Sequence, residues 1–395
     1  MMKKIYYEDI HKINFEAVVT ECNYDESKKI YKVVLDQTAF FPEEGGQLAD
    51  TGTLTFIKTH DNEPTVLPLL DAHIKNEIIY HYVEQEIPVG TVVNGHVDWE
   101  QRFDFMQQHS GEHIISGLVN HYFGYNNVGF HLGLQEVTLD FDGSLTLDQL
   151  RQIEHKANLA VWKNIPITIT YPTSENLQAL EYRSKLDLTE NVRIVTIPDF
   201  DVCACCAPHV DTTGQIGLIK ITNVQSHRGG VRVNILCGNR ALKDYTQKQN
   251  SVSDISVALS VKQEQVSQGV DRLKDENFKQ KEIICNLQGR ILDSLKHTLK
   301  LPSESSHAFL FVEPMDDIAI RNFVNELVGK YSGYVGVFWG TDLDGYRYIV
   351  GSSSLDCSKL AVILRENLGA KGGGKAPMIQ GNVKATKAQI ETLIS

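Results

Sequence analysis

Two short stretches of the 395-residue chain carry side chains able to do metal chemistry. In Gln108-His109-Ser110-Gly111-Glu112-His113, the two histidines stand four residues apart inside a segment patterned as a helix. That interval puts both imidazoles on one face, one turn apart. Further along, Cys203-Ala204-Cys205-Cys206-Ala207-Pro208-His209 repeats the interval between Cys205 and His209, in a loop-like segment interrupted by proline. Two nitrogens from one element with a sulfur and a nitrogen from another make a tetrahedral Zn2+ set of His109, His113, Cys205 and His209. Cys203 and Cys206 are near enough in sequence to replace Cys205. Each half alone has a plainer explanation: an accident of an amphipathic helix for the histidines, small buried thiols for the cysteines. Together they point to zinc.

Two further stretches present chemistry on loops. Asp36-Gln37-Thr38-Ala39-Phe40-Phe41-Pro42-Glu43-Glu44-Gly45-Gly46-Gln47 reads as a tight loop offering side chains from a rigid scaffold, or more plainly as a bulged hairpin. Near the end, Gly369-Ala370-Lys371-Gly372-Gly373-Gly374-Lys375 lies among Lys359, Arg365, Lys384 and Lys387, with Glu366 the acid in the set. A glycine loop with lysines lets backbone N–H groups and positive charge approach phosphates, as in nucleic-acid contact; the plainer reading is a solvated loop. The order is not that of a P-loop, and ATP binding is left open.

The elements that must position these groups follow from periodicity. Residues 1–95 alternate β-type runs (Phe15–Thr20, Ile30–Leu35, Thr91–Val97) with Gly and Pro punctuation, which predicts a small β-barrel. Asp98 predicts a helix N-cap, with Gln101 at the capping-box position, opening a helix through His109 and His113 toward Tyr122. A second helix opens at Thr146, with Leu150, Ile153, Ala157 and Val161 at helical spacing. Strands are expected at 130–133, 136–141, 165–171, 192–197, 216–224 and 231–237, so 96–245 reads as an α+β unit around one metal. Residues 246–304 turn polar, with Val266, Val270, Leu273, Ile284, Leu287, Ile291 and Leu295 forming a broken apolar stripe. We read them as a helical linker with a dimerising face. From 305 to 395 the order strand, helix, strand, strand, helix, glycine loop predicts an α/β domain. The whole is an α+β protein.

Composition narrows the class. The chain is 42% hydrophobic and 22% charged, with a net charge of −12 that argues against indiscriminate nucleic-acid binding while leaving room for a local basic patch. Seven cysteines, three of them within 203–206, fit a reducing cytoplasm better than a disulfide framework. No stretch has the apolar length of a membrane span or the pattern of a signal peptide.

These residues carry a resemblance. The chain resembles AlaX-type alanyl-tRNA editing proteins of the long form, and so the editing and C-terminal portions of alanyl-tRNA synthetase. The likeness rests on Thr38…Phe41-Pro42…Gly45-Gly46-Gln47, His109/His113, Cys205/His209 followed by Val210, Arg228-Gly229-Gly230-Val231-Arg232 and Gly372-Gly373-Gly374. It implies a trans-acting hydrolase that removes serine, and by extension glycine, from tRNA(Ala), and that edits without charging, since the chain starts directly with the barrel. It implies that Thr38 reads the seryl hydroxyl; Gln47 lies close enough to it in sequence to line the same pocket. It also implies that Arg228, Arg232, Lys371, Gly372, Gly373, Gly374 and Lys375 contact tRNA, and that the C-terminal domain promotes a homodimer.

Two departures stand out. Synthetase editing domains commonly place Thr before the second histidine and Cys-Gly-Gly-Thr-His at the second pair; here Glu112 and Cys205-Cys206-Ala207-Pro208-His209 occupy those positions, and Pro208 removes a backbone donor. Glu112 reads either as a base or ligand orienter, or as a solvated surface acid. Zinc either activates water or shapes the pocket. Two rival readings remain: an HxxEH zinc peptidase, built on His109-Ser110-Gly111-Glu112-His113, and a zinc-stabilised RNA-binding module without catalysis.

Overall fold

The computed structural model describes residues 2–58, 63–184, 192–296 and 307–394. It divides into two compact units, Met1–Ser251 and Val252–Ser395. Among the described residues eight helices run in chain order: α1 (Trp99–Phe123), α2 (Leu147–Lys163), α3 (Ser174–Gln178), α4 (Gly238–Leu259), α5 (Val266–Lys296), α6 (Asp317–Val328), α7 (Cys357–Leu368) and α8 (Lys387–Ile394). The expected linker boundary at 304/305 lies outside the described residues. The mixed α+β character expected from the sequence is present in five sheets and these helices.

The first unit opens with a seven-stranded antiparallel sheet. Its spatial order is Pro64–Leu69, Gly52–Ile57, Val92–Val97, Asn14–Asp25, Ile30–Leu35, Ile78–Val83, Asp71–Lys75. The two edge strands are consecutive in the chain, separated only by Leu70, whose N–H donates to the Tyr82 carbonyl. In Val92–Val97 and the first half of Asn14–Asp25, buried and exposed residues strictly alternate. The period of two sends Phe15, Ala17, Val19, Val93 and Val97 into one core with Val33, Leu35, Phe40, Leu54 and Leu67.

The expected α1 forms with Asp98 as N-cap, its carboxylate accepting from the Gln101 N–H, and ends at Gly124 with φ +70°. The capping box is only half made. The Gln101 side chain takes the Thr51 hydroxyl at 2.6 Å instead, and the Asp98 N–H that it would have met donates to the Thr51 carbonyl at 2.8 Å. Nearly every residue of α1 from Phe105 to Val119 is buried. It is a core helix, and its polar residues are enclosed with it. The Thr146 capping box of α2 is complete, with both reciprocal bonds present, and Leu150, Ile153, Ala157 and Val161 are all buried. Both helices pack on a four-stranded antiparallel sheet ordered Asn127–Leu132, Val137–Phe141, Gly230–Cys237, Ile219–His227. A three-stranded sheet (Thr168–Thr170, Ile194–Ile197, Asp201–Ala204) completes the unit.

The second unit is a five-stranded mixed sheet ordered Ala308–Val312, Val335–Thr341, Gly345–Gly351, Met378–Val383, Lys371–Lys375, with the first pair parallel. One face buries Val335, Val337 and Ile349 against Ile320, Phe323, Val324 and Leu327 of α6 and Leu292 of α5. The other buries Phe338, Tyr348 and Val350 against Leu360 and Leu364 of α7 and Ile390 of α8. One expectation is corrected here. The glycine run is an edge strand rather than a loop, paired antiparallel with Met378–Val383. A Cβ at Gly374 would stand 2.2 Å from the Met378 carbonyl oxygen, so glycine lets the two backbones pair this closely. The helical region expected from 246 onward forms as two helices, α4 and α5, separated at Ser260, whose φ is +52°. The stripe on α5 also splits, with Leu292 and Leu295 packing into the domain while Leu273, Ile284, Leu287 and Ile291 stay exposed.

Candidate metal centre

The local spacing does what the sequence promised. One donor atom each from His109, His113, Cys205 and His209 lies within 4.8 Å of all the others. The Cys205 sulfur is 3.5 Å from His109 Nε2 and 3.4 Å from His209 Nε2. Tetrahedral Zn–N and Zn–S bonds of ordinary length set a nitrogen and a sulfur about 3.6 Å apart. The cluster therefore fits a zinc ion. Of the three cysteines left open by spacing, Cys205 is the one in this group. Cys203 sits on the strand Asp201–Ala204 and forms a second group with His113 and Asp201.

The surroundings argue the same way. Each histidine gives Nδ1 to a partner outside the cluster and turns Nε2 inward. His109 Nδ1 faces Gln47 Oε1 at 2.8 Å, His113 Nδ1 faces Asp201 Oδ2 at 2.8 Å, and His209 Nδ1 faces Ser110 Oγ at 3.0 Å. Bonds of this kind fix the tautomer and ring angle of a metal-bound imidazole. Asp201 is itself gripped by Arg183 through Nε at 2.6 Å and Nη2 at 2.9 Å. Gly117 lets α1 reach that carboxylate, since a Cβ there would stand 2.1 Å from the Phe200 carbonyl oxygen.

Electrostatics separate the thiols. Burial pushes the Cys205 thiol up, but the flanking His109 and His209 imidazoles outweigh it and hold the thiol well below its ordinary range. Burial raises Cys203 to about 11 and carries Cys206 up as well. A thiolate is the form that binds a metal. Cys205 is the one favoured.

Glu112 is not a solvated surface acid. It is buried, its Oε1 accepting from the Ser116 hydroxyl at 2.5 Å and from Asn127 Nδ2 at 2.7 Å, and its Oε2 stands 3.8 Å from His113 Nε2. Burial alone would raise its carboxyl; His113, Arg183 and His109 outweigh that and lower it. Because α1 is enclosed on nearly all sides, the helical face that would have carried a surface acid packs against Asn127–Leu132.

The loop from Thr38 to Asp50 is docked onto α1. Leu132 N–H donates to the Gly46 carbonyl at 2.7 Å, which carries Gln47 to His109. Gln47 is wholly buried, and its Nε2 has no partner among the described residues. Arg102 of α1 and Asp50 form a buried pair, with Nε 2.8 Å from Oδ1, while Asp50 Oδ2 accepts the Phe41 N–H and Arg102 Nη2 donates to the Ala39 carbonyl. Thr38 is also buried, bonded to His81 at 2.9 Å. Sequence reasoning missed Asp201, Arg183, Ser110, His81 and the Arg102–Asp50 pair. Ser110 lies inside the histidine motif and Asp201 two residues before Cys203, but the others are joined only by the fold.

The remaining sequence candidates lie elsewhere. Arg228 occupies the tip of a two-residue hairpin turn with Gly229, at φ +45° and +85°. Arg232 is engaged by Asp140 through Nε at 2.6 Å and Nη2 at 2.7 Å. Lys371, Gly372, Gly373, Gly374 and Lys375 are exposed throughout, on the second unit's edge strand. No described helix is long and apolar enough to cross a membrane, and all seven cysteines are free thiols.

Comparisons with known proteins agree with the resemblance. The family described as threonyl and alanyl tRNA synthetase second additional domain matches residues 192–233, and class II (A) tRNA synthetases match residues 3–101. The chain is similar to the alanyl-tRNA editing protein AlaX-L of Pyrococcus horikoshii, at 26% identity over 99% of this chain and 96% of that relative. It is similar to the alanyl-tRNA editing protein Aarsd1 of Danio rerio at 24% identity, over 98% of this chain and 95% of that one. Against the alanine–tRNA ligase of Ignicoccus hospitalis it is 26% identical over 94% of its own length but only 40% of the ligase. The chain thus spans about two-fifths of the length of that ligase. The C-Ala domain of Aquifex aeolicus alanyl-tRNA synthetase aligns with 22% of this chain and 87% of its own at TM-score 0.21 and 18% identity.

Proposed function

We propose that the chain is an aminoacyl-tRNA deacylase acting in trans, which removes chiefly serine from wrongly charged tRNA(Ala) in the cytoplasm. The observation that carries this reading is Gln47. Its carboxamide oxygen is held by His109, so its Nε2 is fixed beside the metal cluster, buried and without a partner among the described residues. A pre-aimed amide N–H is the group that ester hydrolysis needs where charge grows on the carbonyl oxygen. The near full-length similarity to two alanyl-tRNA editing proteins supports the substrate class.

His109, His113, Cys205 and His209 would hold Zn2+, which supplies Lewis acidity toward an ester carbonyl or water. Four protein donors fill a tetrahedral site, so the rest of the work falls to the chain. Gln47 orients the carbonyl. Glu112, lowered to its carboxylate form and fixed by Ser116 and Asn127, steadies the charge on the histidine side. Thr38 reads the amino acid: a pocket large enough for serine also admits alanine, and rejecting alanine takes a buried polar group that only serine can satisfy.

The segment that follows Ile30–Leu35 of the seven-stranded sheet, a sheet read as a small barrel, carries Thr38 and Gln47, and residues 96–245 carry the metal. Lys371 and Lys375, flanking Gly372, Gly373 and Gly374 on an exposed strand, suit phosphate contact, as does Arg228 at its hairpin tip. Arg232 reaches a phosphate only by exchanging it for Asp140. The exposed Leu273, Ile284, Leu287 and Ile291 suit a homodimer.

The test is deacylation of seryl-tRNA(Ala), alanyl-tRNA(Ala) and seryl-tRNA(Ser) by the zinc-loaded protein and a His109→Ala variant. Loss of serine from tRNA(Ala) alone, abolished in the variant, is expected. No hydrolysis by the zinc-loaded protein would move the reading to an RNA-binding module.

A further inference from the structure

His81 lies in the middle of the strand Ile78–Val83, wholly buried, with its ring edge-on to Phe40 at 5.9 Å between centroids. Its Nδ1 is 3.2 Å from the Val33 carbonyl oxygen and its Nε2 is 2.9 Å from Thr38 Oγ1. A carbonyl oxygen can only accept, so Nδ1 carries the proton. Burial keeps the ring neutral, its pKa brought down to about 4. A neutral imidazole has one N–H, which leaves Nε2 as a bare acceptor. The Thr38 hydroxyl must therefore donate to His81. The Phe40 N–H donates to the same oxygen at 3.1 Å.

The inventory of Thr38 is then nearly spent. Its proton is committed to His81 and one lone pair to Phe40, so one lone pair remains. Toward any ligand, Thr38 is an acceptor only. Thr38 is itself wholly buried, so a group that reaches it arrives stripped of water and a mismatch there is costly.

We propose that His81 is a positioning residue for substrate selection: by holding the Thr38 proton, it makes Thr38 an acceptor for the hydroxyl of the esterified amino acid. The inference rests on the deacylase reading. A seryl hydroxyl donates to the remaining lone pair and an alanyl methyl leaves it unmet. Without His81, the Thr38 hydroxyl turns freely and presents its proton as readily as its lone pair, and the distinction weakens.

The experiment compares the wild type with His81→Leu, measuring kcat/KM on seryl-tRNA(Ala) and on alanyl-tRNA(Ala) with zinc content checked in both. The expected result is a fall of about tenfold in the seryl rate, the scale of one hydrogen bond, with the slow alanyl rate and the zinc content unchanged. A variant that keeps its full seryl-to-alanyl ratio overturns the role of His81 and leaves the deacylase reading standing. A wild type inactive on seryl-tRNA(Ala) overturns both. Should the variant fail to fold, 15N NMR of the histidines in the wild type decides. A His81 ring protonated at Nδ1 and bare at Nε2 is required; the opposite tautomer, or a charged ring, overturns the inference.

Discussion

Gln47 Oε1 lies 2.8 Å from His109 Nδ1, joining the N-terminal sheet unit to the metal cluster across 62 positions of chain. Its oxygen fixes a candidate ligand, and its nitrogen is buried with no partner among the described residues, the donor that the proposed function assigns to a substrate carbonyl. The two ends of the same group can be tested apart.

Gln47→Glu keeps an acceptor for His109 and replaces the donor by an oxygen. It should lower kcat/KM for seryl-tRNA(Ala) about 10²-fold, the scale for losing one donor to a developing oxyanion, while zinc stays stoichiometric. Thr38→Val should reduce the seryl rate with less effect on zinc than a ligand substitution. Single-turnover deacylation beside metal analysis reads both. Loss of zinc in step with activity, in either variant, would contradict the assigned role.

Asp201 holds His113 and is in turn held by Arg183. Burial opposes its charge, but His113 and Arg183 prevail and lower its carboxyl, so it meets the imidazole as a carboxylate. Asp201→Asn should weaken zinc binding about 10- to 100-fold, the usual effect of removing a partner behind a ligand. Competition with a chromogenic chelator measures this. An unchanged zinc affinity would make the contact incidental.

What could be read from the sequence was what is local in it. His109 and His113 on one helical turn, and Cys205 with His209, are fixed by spacing, and the structure brings the four together. The opening of a helix at Thr146 was legible for the same reason. Behind the ligands, Gln47 was named as a pocket residue but its hold on His109 was not, and Asp201 and Arg183 were missed, because Gln47 and Asp201 reach the histidines, and Arg183 reaches Asp201, only through the docking of separate elements. Glu112 shows the limit from the other side. A lone acid on a helix reads as solvated, and only the enclosure of α1 turns it inward. The glycine run failed as a loop because nothing in three glycines announces that Met378–Val383 will pair with them.

Lys371 and Lys375 bracket the exposed edge strand and are free of the side-chain burial that would restrain them. Replacing both by alanine should weaken binding to tRNA(Ala) and lower the slope of log affinity against log salt by roughly one to two, since each phosphate a lysine neutralises adds about one unit of slope or slightly less. Zinc content and unfolding of the first unit should not change. Filter binding across a salt series tests this, and an unaltered slope would remove the strand from the tRNA interface.

Arg102 and Asp50 pin the loop that carries Thr38 and Gln47 to the helix that carries His109 and His113. Both side chains are buried to within 1%. Removing one partner leaves the other charged, enclosed and unmatched, which costs about 3–5 kcal/mol. Arg102→Met alone should therefore lower the urea midpoint sharply. The double variant Arg102→Met/Asp50→Leu removes both charges and should recover much of that loss, since the penalty belongs to the orphaned carboxylate rather than to the absent attraction. Activity should not recover with stability. The Phe41 N–H and the Ala39 carbonyl lose their partners in the double variant, and the loop between Thr38 and Gln47 loses its fixed seat. Urea unfolding together with seryl-tRNA(Ala) deacylation separates the two effects, and a double variant that regained both would show that the pair stabilises the fold without positioning the loop.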